Sequence, residues 1–247
     1  MPSPVVAPAE GDAWGQALLA AVDGHDSVIM VERDDGLIEP DLFVARNYFG
    51  EPDSWSDRDH WAIERAVGRV LDLGAGGGRA TLALQTAGRD VVALDVSPGA
   101  IEVCRRRGVQ QCFLGSVDDF VDTNPTPFDS TLALGNNLGL LGSRTGASRL
   151  LNALAAISAS DAVVVGTGLD PYATDDPLHL AYHEANRRVG RSPGQVTIRV
   201  RHRALATPWF DMLWCSIDEL AELCEPTPWR VVDVYPGPLY AVVLRRV

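Results

Sequence analysis

The sequence has no tract of basic residues, no long apolar run and no cysteines at metal-ligand spacing. Each absence excludes a class of function. Without clustered cations there is nothing to neutralise a phosphate backbone, and a formal net charge of -12 argues further against a nucleic-acid partner. Arg105-Arg106-Arg107 is the one short basic cluster, and it reads as cations complementing the end of a predicted helix. No stretch is long enough to span a membrane, and MPSPVVAPAEGD lacks the basic start and apolar run of a signal peptide. A chain of 247 residues buries a core that needs no disulfide staples, so Cys104, Cys112, Cys215 and Cys224 read as reduced thiols in a cytoplasmic protein. No internal repeat is evident.

What is present falls into five parts. Residues 1–11 are Pro- and Ala-rich and are expected to be a disordered tail. Residues 12–67 are expected to form an N-terminal helical lid segment. Within it AWGQALLAAVD has helical spacing over 13–23, residues 34–50 are broken by Gly and Pro and read as irregular, and Ser56-Asp-Arg-Asp59 resembles a capping box. From 68 to 169 short apolar strands alternate with helices, the pattern of a parallel sheet covered on both faces. Residues 170–215 break that alternation and read as a substrate-cap insertion. Residues 216–247 open on a second capping box, Ser216-Ile-Asp-Glu219, and supply a helix and two closing strands. The predicted fold is α/β: a Rossmann-like, doubly wound, seven-stranded sheet with an antiparallel edge strand, an N-terminal helical segment and a cap after the fifth strand.

The chemistry is concentrated in VLDLGAGGGR, residues 70–79, where a strand ends in four glycines. Glycines between a strand and a helix let a ligand approach the backbone, at the carboxyl edge of the sheet. A P-loop is excluded, because the loop has no lysine and the wrong spacing. A dinucleotide loop would need a small third residue where Arg79 stands. The remaining pattern is Gly74-Ala75-Gly76-Gly77-Gly78 with an acid, Asp72, two residues before it. The next strand, DVVALDVS, ends in Asp95, 21 residues past Gly74. A carboxylate there can accept both ribose hydroxyls, although nicotinamide-binding folds place an acid similarly.

From about Ala66 to Gly168 these motifs, with FLGSVDDF and FDSTLALGNNLGLLG, resemble the class I S-adenosylmethionine-dependent methyltransferases of the small-molecule type. The resemblance implies S-adenosyl-L-methionine as cofactor and S-adenosyl-L-homocysteine as product. It implies a glycine floor at Gly74, Ala75 and Gly76 followed by Arg79, and Asp72 near the amino-acid end. It places Asp95 on the ribose, Val96 and Ser97 beside the adenine, and Ser116 and Val117 at its far edge, with Ser116 standing where an acid is usual. Tyr48 would lean over the methionine portion. Gly135 and Asn136 lie in LGN, which is similar to the LGNS segment of glycine and sarcosine N-methyltransferases, where the asparagine faces the substrate; Asn137 is equally a turn former. The family often has a histidine where Leu140 stands here, so no general base is inherited. His60, Tyr182 and His183 are the candidate bases or anchors, with Tyr172, His179, His202, Trp209 and Phe210 as further candidates in the insertion. No third ligand accompanies His179 and His183, so no metal is expected. Arg199, Arg201 and Arg203 alternate on one strand face and could bind a carboxylate substrate or balance an acidic surface, the second reading being preferred.

The implied function is methyl transfer to a nitrogen or oxygen of a small molecule, in specialised metabolism, as a monomer or homodimer. Two alternatives stay open: a methyltransferase-like protein that binds the cofactor without transferring methyl, and a dinucleotide-dependent oxidoreductase.

Overall fold

A computed structural model describes residues 8–42 and 44–247. The first elements are β1 (Ala9–Glu10), α1 (Ala13–Val22), β2 (Ile29–Arg33), β3 (Ile38–Asp41), α2 (Val44–Phe49) and α3 (Asp57–Ile63). Then come β4 (Val70–Leu73), α4 (Arg79–Thr86), β5 (Val91–Asp95), α5 (Pro98–Arg106), β6 (Cys112–Leu114), α6 (Val117–Val121) and β7 (Phe128–Ala133). The chain continues through α7 (Arg144–Ala156), β8 (Ser158–Leu169), α8 (Pro177–Arg188), β9 (Gln195–His202), β10 (Leu205–Ala206) and β11 (Phe210–Leu213). It ends with α9 (Ile217–Cys224), β12 (Trp229–Tyr235) and β13 (Leu239–Arg246).

Two sheets result. The larger has seven strands in the order β12-β13-β8-β7-β4-β5-β6. Strands β4 to β8 are parallel, and their near-continuous apolar runs are what burial on both faces demands. The expected antiparallel strand is β13, but it lies one position in from the edge, paired with β8 and covered by β12. Its core includes Leu71, Leu94, Phe128, Leu151, Val164, Trp229 and Leu244. Trp229 is fully buried and donates its indole N–H to the Leu151 carbonyl at 2.8 Å.

The second sheet runs β1-β10-β9-β2-β3, with β11 also on β9. It corrects three expectations. The predicted N-terminal helical segment contributes two strands, β2 and β3, and these join the predicted cap insertion in one sheet. Residues 34–50, read as irregular, hold β3 and α2; Pro40 is tolerated because β3 is an edge strand. The expected tail is ordered where described, since Ala9 and Glu10 pair with Leu205 and Ala206; residues 1–7 lie outside the described residues.

Alternation decides the faces of this sheet. Ile29 and Val200 pack against Ala17 and Leu18 of α1, which itself sits on Ala100 and Val103 of α5. Val196 and Met212 pack with Tyr182 of α8. The opposite face carries polar pairs: Glu32 accepts from Arg199 at 2.8 Å and from Arg201 at 3.3 Å, and Asp211 accepts from Thr197 at 2.6 Å. Two of the three alternating arginines therefore do balance an acid.

Candidate functional site

The carboxyl ends of β4, β5 and β7 meet where the chain's winding reverses: β5 and β6 lie to one side of β4 and β7 to the other. That reversal opens a crevice in a doubly wound sheet. Gly74, Gly76 and Gly78 all have positive φ, +68°, +54° and +74°, which an L side chain would strain. The loop is tied down from every side. The Gly74 carbonyl accepts from Asn137 Nδ2 at 3.0 Å, as does that of Leu73 at 2.9 Å. The Gly76 carbonyl accepts from the Cys104 thiol, and the Gly77 carbonyl from Arg107. Asn137 is thus a clamp across the crevice, and Arg107 holds the loop as well as ending its helix. Above the loop the Tyr48 ring lies 3.5 Å from where a Cβ on Gly76 would be, and Phe49 lies over Gly77. The Tyr48 ring is braced edge-on by Trp14.

Asp95 ends β5 and is buried. Its Oδ2 accepts from the Gly76 N–H and its Oδ1 from the Ser97 N–H, both at 2.9 Å. The carboxylate is thereby aimed before any ligand arrives, while burial pushes its pKa up. Asp72 is more enclosed. Its Oδ2 accepts from the hydroxyl and the N–H of Thr81, at 2.6 Å and 3.1 Å, so it docks α4 onto β4, and burial raises its pKa too. Val96 is 69% exposed, a bare apolar surface next to Asp95. The Ser116 hydroxyl is engaged in a capping box with Asp119, and Val117 is buried behind it.

Arg79 and Asn136 join a cluster whose other members, Arg58 and Asp59, motif matching does not isolate. The predicted capping box at Ser56 is only half formed: Ser56 Oγ accepts from the Asp59 N–H, but the Asp59 carboxylate turns away to Arg79, 3.0 Å, and Arg58, 3.5 Å. Arg58 also donates to Asn136 Oδ1 at 3.3 Å. Asn136 holds a left-handed φ of 64°, fixed by its N–H donating to Thr167 at 2.8 Å. Two buried polar atoms here, Arg58 Nε and Asp59 Oδ1, have no hydrogen-bond partner. Beside them Gly135 is exposed, with open space where a Cβ would point. The SDRD signal for this cluster was present, but as a helix cap it carried no hint of its charge surplus.

The candidate bases part company. Tyr182 donates its hydroxyl to Asp34 at 2.6 Å beneath the Arg33 guanidinium, and burial raises its pKa. It packs with Val196 and Met212. His183 is buried against Tyr172, and burial lowers its pKa, favouring the neutral imidazole. His60 lies beside Trp55, whose other neighbour is Arg79. His179 meets Arg33 at 3.0 Å and His202 meets the Val28 carbonyl at 2.9 Å. A cavity of about 440 Å³ lined by Asp26, Val28, Met30, Ile38 and Arg201 to Arg203 belongs to the second sheet and includes none of the cofactor-motif residues.

Residues 70–156 match the family model of the methyltransferase domain. The ubiquinone biosynthesis O-methyltransferase of Xylella fastidiosa is 36% identical over 67 residues, covering 25% of this chain and 27% of that protein. The match thus spans about a quarter of the curated relative. The crystal structure of a SAM-dependent methyltransferase from Bacteroides fragilis in complex with S-adenosyl-L-homocysteine superposes with a TM-score of 0.79 at 22% identity, over 97% of this chain and 96% of that one. SAM-bound CalS10 from Micromonospora echinaspora, an amino pentose methyltransferase, gives 0.52 at 18% identity, over 77% and 88%. Residues 70–156 are therefore similar to a methyltransferase domain, and the chain as a whole has the fold of the class I S-adenosylmethionine-dependent methyltransferases.

Proposed function

We propose that the protein transfers a methyl group from S-adenosylmethionine to a nitrogen or oxygen of a small molecule. The observation that carries this is Asp95: a buried carboxylate held by Gly76 and Ser97 at the crevice, beside the exposed Val96. Asp95 would accept the ribose hydroxyls, Val96 would lie along the adenine, and the Val117 N–H with Ser116 would meet its edge. The cluster of Arg58, Arg79 and Asp59 suits a zwitterionic amino-acid end, with cations for its carboxylate and the Asp59 carboxylate, ion-paired to both arginines, for its ammonium. Asp72 adds negative charge beneath.

When bound, S-adenosylmethionine supplies a methyl carbon already activated by a positively charged sulfur. The protein's task is then alignment and exclusion of water. Tyr48 and Phe49 cover the loop. Asn136, locked by Thr167 and Arg58, presents its amide at the end of β7, and we assign it to orienting the acceptor. A base is needed only for an acceptor that keeps its proton at neutral pH. His183, which makes no hydrogen bond among the described residues, and His60 are the candidates for that role.

Support for a small acceptor comes from the second sheet, which places Phe210, Ile198 and Val31 on its apolar side, and from the amino pentose named for CalS10. The oxidoreductase reading is weakened by Arg79, whose guanidinium, paired with Asp59, fills the place where a dinucleotide loop needs a small residue. Titration calorimetry with S-adenosylmethionine and with NAD(H) tests the cofactor: binding of the first alone is expected, and no binding of it would end the proposal. Accumulation of S-adenosylhomocysteine over a panel of amines and phenols then separates transfer from mere binding.

A further inference from the structure

Asp12, two residues past β1, serves more than its own helix. Its Oδ1 accepts from the Gly15 N–H at 2.9 Å, the ordinary cap of α1. The same carboxylate accepts from Ser97 Oγ, at 2.8 Å and 3.0 Å to its two oxygens, and Oδ2 accepts from the Gly99 N–H at 2.8 Å. These last two donors belong to the start of α5. Two helix N-termini, each with a positive dipole end, are thus pressed against one another with a single carboxylate between them. They touch backbone to backbone: a Cβ on Gly99 would come within 2.6 Å of the Gly15 Cα. Without that carboxylate, like ends would abut and buried donors would lose their acceptor.

The contact leads directly to the cofactor side. Ser97 Oγ caps α5 through the Ala100 N–H, and the Ser97 N–H donates to Asp95 Oδ1. Asp95 in turn holds Gly76. In the other direction, the Ala9 N–H donates to the Ala204 carbonyl and the Gly11 N–H to that of Ala206, both at 2.8 Å, anchoring the same segment to the second sheet.

We propose that Asp12 is a positioning residue for cofactor binding: by locking the Ser97 turn it sets the carboxylate of Asp95 against the ribose, and it couples the second sheet to the glycine loop. This rests on the assignment of Asp95 to the ribose. Asp12→Ser separates the two jobs of Asp12. Serine still caps α1, but its single short oxygen cannot also reach Ser97 and Gly99. Calorimetry compares wild type and variant with two probes, S-adenosylhomocysteine and its analogue lacking both ribose hydroxyls. For the first, Asp12→Ser is expected to weaken binding about tenfold. For the second, the ratio is expected to fall to about 1 to 2, because the ribose contact is already gone. Equal affinity of wild type and variant for S-adenosylhomocysteine, or an equal loss for both probes, overturns the proposal; the latter would mean a general loosening. Should Asp12→Ser fail to fold, Asp12→Asn, which keeps one acceptor for α1 but turns a donor toward Gly99, takes its place with the same expectations. Failure of the wild type to bind S-adenosylhomocysteine would instead refute the functional reading itself, and this one with it.

Discussion

The two sheets obey different rules. In the seven-stranded sheet, neighbours β4 and β5 are joined by a single crossover, and whole strands are buried. In the second sheet, β2 pairs with a strand about 167 residues later, and its outer face is a ladder of charge centred on Glu32. One sheet is held by apolar burial on both faces; the other buries apolar residues mainly on one face, with Leu213 the exception on the other. The cofactor motifs sit on the first. The two are linked through α1 and Asp12 and through the end of β11, where Met212 and the adjoining Trp214 pack against Gly139.

That contrast can be broken by mutation, beginning with the largest effect. Trp229→Ala removes a fully buried indole and its bond to Leu151, and should cost about 3–5 kcal/mol in urea unfolding. Asp95→Ala should weaken S-adenosylhomocysteine binding about 100-fold by calorimetry, with far-UV circular dichroism preserved. A loss below about threefold would remove Asp95 from the site.

Asp72→Asn sharpens the distinction between fold and site. Burial raises the Asp72 carboxyl above its ordinary value, against the pull of Thr81 and Arg79. Ionised Asp72 therefore opposes folding above its folded pKa, and this opposition vanishes as pH falls below the unfolded value of about 3.9. The asparagine variant, whose carbonyl can still accept from Thr81, should gain about 1 kcal/mol at pH 8, a gain that disappears near pH 4. It should also bind S-adenosylmethionine, which is cationic, less well, and a variant as unstable as Asp72→Ala at every pH would contradict the burial argument.

The smallest effect belongs to the second sheet. Glu32→Ala should cost about 0.5–1 kcal/mol, less in high salt, because its arginine partners are partly solvated. The bond from Arg199 holds the Glu32 carboxyl below the usual carboxylate range. Its contribution is present above about pH 4.3 and lost as pH falls through the lower folded value, so the melting curves of variant and wild type should converge in acid. A cost rivalling that of Trp229→Ala would show that both sheets are equally core, and the comparison would fail.

Much of the first sheet was legible before any coordinates. Strand β5, with its acid at the end, and the Ser97 cap needed only local pattern. The SDRD stretch shows where this stops: Ser56 caps as read, but nothing local says that the Asp59 side chain leaves the box for Arg79. Strand β3, reading IEPD, has neither the alternation nor the composition of a strand, and exists because β2 offers it an edge. Nor does anything local say that the Tyr182 hydroxyl donates to Asp34, far away in the chain.

By itself the sequence determined the parallel core, the glycine turn and the acid one strand over, because these follow from period, backbone freedom and residues a few positions apart. Only the tertiary structure decided that the chain's two outlying segments make one sheet, that Arg58 meets Asn136 and Asp59 meets Arg79, and that Asp12 bridges two helices. Those features depend on which distant groups meet when apolar faces are buried, and no short window of sequence contains both partners.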